Sequence, residues 1–157
     1  MKFLLVKDLK NDSYFKPIIS ALLIFTLSYL VIDIFVKHNS IGITVSSLLN
    51  TFFGNEEEYI DPMELSIFLE FWHMDIFFIM MLLLTLSAIY IRLCKASKQS
   101  LFISNVNIIS ALITLLSLAV SYFYISSFIY LYIFSFYLWH ILSIYISLIS
   151  LYKLYRE

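Results

Sequence analysis

The chain has 157 residues, of which 62% are hydrophobic, 18% aromatic and 13% charged, with a formal net charge of -1. A water-soluble domain carries about 25% charged residues, so this chain cannot cover a surface facing water and reads as an integral membrane protein. Its lysines and arginines sit in short stretches beside apolar runs, which excludes a nucleic-acid-binding face, and its one cysteine, Cys94, excludes an internal disulfide.

A basic tail with Lys2, Lys7, Lys10 and Lys16 precedes the first apolar run, from about Pro17 to Val36. Proline suits a first helical turn, where no amide donor is needed. The run is longer than a signal-peptide core and no A-x-A-like site follows it, so it reads as a retained membrane anchor.

The loop from 37 to 63 is the longest non-spanning piece. Within it Ile41, Val45, Leu48, Leu49, Phe52 and Phe53 recur at helical spacing, between Asn39-Ser40 and a stop at Gly54. This predicts a short amphipathic helix on the outer surface or over the mouth of the bundle. The acidic turn Glu56-Glu57-Glu58-Tyr59-Ile60-Asp61-Pro62-Met63-Glu64 follows it, and with Asp33, Glu70 and Asp75 it gives the outer half eight acidic residues against Lys37 alone. Such a run is ordinarily a solvated face, with a cation-attracting vestibule as the functional alternative.

Three further spans run from about Glu64 to Arg92, Leu101 to Tyr122 and Phe128 to Tyr152, the last two forming a tight hairpin around Tyr124 to Ser127. The expected architecture is all-α, a four-helix up-down membrane bundle forming one domain over 1–157. Nine of ten basic residues fall in the two tails and the Arg92–Lys98 loop, which predicts both termini on the cytoplasmic side of a bacterial inner membrane. Tyr122, Tyr124, Tyr130 and Tyr132 read as anchors at the opposite boundary.

Helices in lipid associate through small and polar side chains, so those residues mark inward faces. Asn107, Ser110, Thr114, Ser117 and Ser121 form one such stripe, and His140, Ser143, Ser147 and Ser150 form its partner. The same step through the second span links Ser66, Glu70, His73, Phe77, Met80, Leu84 and Ser87, which turns His73 inward and places Asp75 roughly opposite.

An ionisable residue within a span is costly and by default suggests function. His73 and His140 together suggest two imidazole ligands for a b-type haem, walled by Trp72, Phe77, Tyr137 and Trp139, and hence one-electron transfer. Counted from Arg92 and Lys153, the two histidines differ in height by about 9 Å, which helix tilt must absorb. Glu70-x-x-His73 alternatively suggests a site for a copper or iron ion, or a proton, near the outer face, with Asp33 or His38 contributing and His140 as a further candidate ligand. The third reading has the histidines as hydrogen-bonding glue, in a non-catalytic subunit of a larger membrane complex or in a homo-oligomer. No phosphate loop, nucleophile elbow or His-Glu-x-x-His occurs, so no catalytic residues are assigned.

A histidine near the outer end of a span, followed by a long apolar run to Tyr90-Ile91-Arg92-Leu93, resembles small four-helix haem-associated membrane proteins of the copper-resistance-D and HemJ-like type. The run from Trp139-His140-Ile141-Leu142 to Lys153-Leu154 is similar to the same group, so the resemblance covers two of the four spans. It implies haem binding at His73 and His140. Phe71-Trp72-His73-Met74-Asp75 also resembles a segment of cytochrome oxidase subunit III.

Overall fold

The computed structural model describes residues 14–156, so Lys2, Lys7 and Lys10 of the basic tail lie outside the described part. Five helices follow one another: α1 (Phe15–Ser40), α2 (Val45–Phe53), α3 (Leu65–Leu93), α4 (Lys98–Phe123) and α5 (Phe128–Tyr155). At about 1.5 Å per residue, all but α2 exceed the ~30 Å hydrocarbon core, and each is apolar enough to cross it. This is a multi-pass membrane protein with four transmembrane helices packed together.

α4 and α5 each bury a seam with alternating steps of four and three residues, as in left-handed coiled coils. On α4 the seam runs Ser100, Ser104, Asn107, Ala111, Thr114, Leu118, Ser121, and on α5 Ile129, Tyr132, Phe136, Trp139 or His140, Ser143, Ile146 or Ser147, Ser150. The two small-residue stripes expected from the sequence are therefore the buried ones. α4 and α5 make the most extensive contact in the molecule, because serine lets the two backbones approach closely.

The α3 seam differs from expectation. It buries Phe68, Ile79, Leu82, Leu86, Ile89 and Leu93, while Ser66, Glu70, His73, Phe77, Met80 and Leu84 lie on the exposed side. The helix is turned so that Asp75, not His73, points into the bundle. Two forces set that rotation: the large aliphatic side chains of α3 fill the space beside α5, and Asp75 finds a cation on α1.

α5 touches every other helix, and α3 and α5, running in the same direction, form the short diagonal of the bundle. α4 packs on one side of that diagonal and α1 on the other. Across one mouth lies α2, whose buried Leu48 and Phe52 join Ile41, Phe68, Leu118 and Ile129 in a capping cluster. A capping box between Thr44 and Ser47 starts α2, right after a corner at Gly42. Gly42 has φ +83°, and a Cβ there would stand 2.0 Å from Ser47 Oγ, so both conformation and space demand glycine. After Gly54 a short antiparallel bridge, Asn55 to Ile60, closes the acidic turn.

The tyrosines expected as boundary anchors divide. Tyr124 and Tyr130 are exposed. Tyr122 instead stacks on Phe68 with ring centroids 3.9 Å apart and donates a hydrogen bond to Met63 O, and Tyr132 is buried in the capping cluster. Helix periodicity turns Tyr132 onto the α5 seam, which overrides the boundary preference of its ring.

Candidate functional site

α1 carries Tyr29, Asp33 and Lys37 at steps of four, so all three share one face of that helix. That face meets α3 and α5, and two pairs of ionisable side chains form there. Lys37 Nζ donates to Asp75 Oδ2, with the two side chains 4% and 13% exposed. The same ammonium lies 3.8 Å from the centroid of the Phe71 ring, a cation–π contact strengthened by exclusion from water. His140 Nε2 lies 3.1 Å from Asp33 Oδ2, the side chains being 1% and 10% exposed. Its Nδ1 donates to Phe136 O at 2.9 Å, the carbonyl one turn earlier on α5. The imidazole is held between the rings of Phe136 and Trp139, with centroids 4.2 and 4.1 Å away. Tyr29 and Tyr132 stand within electrostatic reach of both carboxylates.

The outcome is a buried quartet of ionisable side chains, Asp33, Lys37, Asp75 and His140, in which each has one partner. Such a buried pair contributes little net stability, since desolvation nearly cancels the attraction, but losing one member leaves a buried charge exposed to no counter-ion. Both pairs involve α1. They fasten α1 to α3 at one end of the diagonal and to α5 at the other.

One turn deeper on α5, Ser143 accepts a hydrogen bond from Asn107 Nδ2 at 3.0 Å and donates to Asn107 Oδ1 at 3.2 Å. This reciprocal pair sets the register of α4 against α5. Trp72 Nε1 donates to Leu115 O at 3.0 Å and ties α3 to α4.

A family of transmembrane helical domains, Aq_1264_TM, matches residues 42–157. The chain belongs to this family. No curated protein and no solved structure matches it. The Aq_1264_TM stretch takes in α2 to α5, and so contains Asp75, His140 and the α4–α5 seam, while Asp33 and Lys37 come from α1 ahead of it. The family is described as a transmembrane helical domain, which agrees with the architecture.

Of the residues singled out from the sequence, His140 and Trp139 are buried side by side, as expected. His73 and Glu70 are exposed on α3, and neither bonds to another described residue. The expectation that His73 faces inward is corrected: the rotation of α3 that brings Asp75 to Lys37 carries His73 outward. His73 and His140 therefore share no enclosed space, and Trp72 is engaged with the α4 backbone. His140 has no free ring nitrogen, because Phe136 O and Asp33 occupy both. A haem or metal ion would have to displace the carboxylate, so the arrangement does not fit a bis-histidine haem. Among the described residues, no three His, Cys, Asp or Glu side chains converge on a common point. His38 is exposed at the end of α1 and joins no cluster.

The sequence reading missed the Lys37–Asp75 pair and gave Asp33 only a minor role. A signal was present: Asp33 and Lys37 near one end of α1 face Asp75 near the same end of α3, so opposite charges lie at matching depth on adjacent spans.

Proposed function

We propose that this protein is a non-catalytic subunit of a larger membrane assembly, with both termini cytoplasmic in a bacterial inner membrane. The observation that carries the reading is the contrast between its two intramembrane histidines. His140 is committed at both ring nitrogens to groups of its own chain, which makes it a fastening element with no position left for an external ligand. His73 and Glu70, one turn apart, stand exposed on the outer face of α3 among Met74, Phe77 and Met80. Ionisable groups in spans almost always face protein or water, so this stripe calls for a covering helix. The topology follows from the basic residues at the end opposite α2.

Electron transfer through a haem would ask His140 to give up Asp33 and α3 to rotate by roughly half a turn, burying His73 at the cost of the Lys37–Asp75 pair. The structural reading asks for neither change.

Photo-crosslinking in native membranes tests the choice. A photoreactive residue at Phe77, on the Glu70–His73 face, should give a protein adduct of reproducible mass, and one at Leu116 on α4 should give none. Lipid adducts alone at both positions would contradict the subunit reading. So would a dithionite-reduced haem spectrum in the purified chain that disappears in His140→Ala.

A further inference from the structure

The surroundings of His140 decide where its hydrogens are. A backbone carbonyl oxygen only accepts, so Nδ1, 2.9 Å from Phe136 O, must carry hydrogen. Nε2 then faces Asp33 Oδ2 at 3.1 Å. A neutral ring protonated at Nδ1 has a lone pair at Nε2, and an ionised carboxylate offers only lone pairs, so in a buried site the two would repel. One proton must lie between them. It sits either on nitrogen, giving imidazolium and carboxylate, or on oxygen, giving neutral imidazole and carboxylic acid, and in both forms the pair is neutral.

The surrounding groups do not remove that requirement. α1 brings Tyr29 and Lys37, α3 brings Asp75, and α5 brings Tyr132 and Tyr137. The Lys37 charge is already matched by Asp75. α2 carries no titratable side chain, and the buried polar residues of α4 at this level, Asn107, Ser110 and Thr114, are uncharged.

We propose that Asp33 and His140 form a proton-binding site, holding a single proton between Oδ2 and Nε2, and that this proton docks α1 against α5. The proposal is independent of whether the bundle serves a larger assembly. Taking up the proton forms one N–H or O–H bond and the hydrogen bond across the pair. Losing it leaves two facing lone pairs and one uncompensated negative charge, so α1 must move away from α5.

The full chain, ¹⁵N-labelled at histidine in lipid nanodiscs, tests this by NMR and infrared spectroscopy. The wild-type spectra should show hydrogen on Nδ1 of His140, together with either hydrogen on Nε2 or a carboxylic-acid band that Asp33→Asn abolishes. In Asp33→Asn the side-chain amide donates to Nε2, so the ring should be neutral with hydrogen on Nδ1 alone and the bridge kept. Spin labels at Leu22 and Tyr145, both exposed, should then report a wild-type α1–α5 distance that lengthens once alkali removes the proton, and an Asp33→Asn distance that does not. A wild-type ring carrying hydrogen on Nε2 alone, or an ionised Asp33 facing a bare Nε2, would overturn the proposal. So would a wild-type distance that stays fixed after the proton is gone. The wild-type spectrum decides the protonation even if the variant fails to fold.

Discussion

At the scale of single residues, the quartet Asp33, Lys37, Asp75 and His140 works as two mutually neutral pairs, and its energetics are those of partners rather than of individual charges. Lys37→Met leaves Asp75 buried without a counter-ion and should destabilise the bundle by about 3–5 kcal/mol, as measured for broken buried pairs. The double variant Lys37→Met/Asp75→Leu should recover most of that loss, which reversible unfolding in detergent micelles or bicelles would measure. His140 was legible in the sequence as a buried intramembrane histidine, and Asp33 only as an accessory. Residue type gives the need for a partner but not its identity: Glu70, His73 and Asp75 all lie within two turns of α3, and only the rotation of that helix selects Asp75. The choice depends on tertiary packing against α1, which periodicity within α3 cannot reveal.

At the scale of elements, the α4–α5 hairpin was readable because one rule, small and polar residues at steps of three and four, governs both partners. The rule failed on α3, whose inward face is built from Leu82, Leu83, Leu86 and Ile89, residues that the sequence alone assigns equally well to lipid. Large side chains can fill the diagonal beside α5 where serine cannot. Ser143→Leu should therefore force α4 and α5 apart and cost about 1–3 kcal/mol by overpacking, and it also breaks the bond to Asn107. Leu116→Ala, on the exposed face of α4, should be close to neutral; thermal unfolding of the two variants side by side checks the contrast. Gly42→Ala should loosen the corner between α1 and α2, since the alanine Cβ would collide with Ser47 Oγ in a backbone conformation that disfavours it. Faster proteolysis within 42–55 would report that loosening.

Over the whole molecule, four spans and the helix over the mouth followed from apolar length and periodicity, because a bilayer sets those lengths directly, whereas the end of the first span did not: α1 continues to Ser40 and holds Lys37, which the sequence places in the outer loop. The placement of α1 did not follow, since its polar contacts, Lys37 with Asp75, Asp33 with His140 and Ser20 with Tyr155, span long separations in sequence. The basic residues predict the topology in the membrane. In a Cys94→Ser background, a cysteine at Ser126 should react with a membrane-impermeant maleimide on intact cells, and one at Lys95 only after permeabilisation. The most direct test of the charge quartet as the fastening of α1 is a double-mutant cycle between Asp33 and His140 in lipid. A coupling energy of about 0.5–3 kcal/mol, as found for residues in contact, is the expected result. Additive effects of the two single substitutions would contradict it.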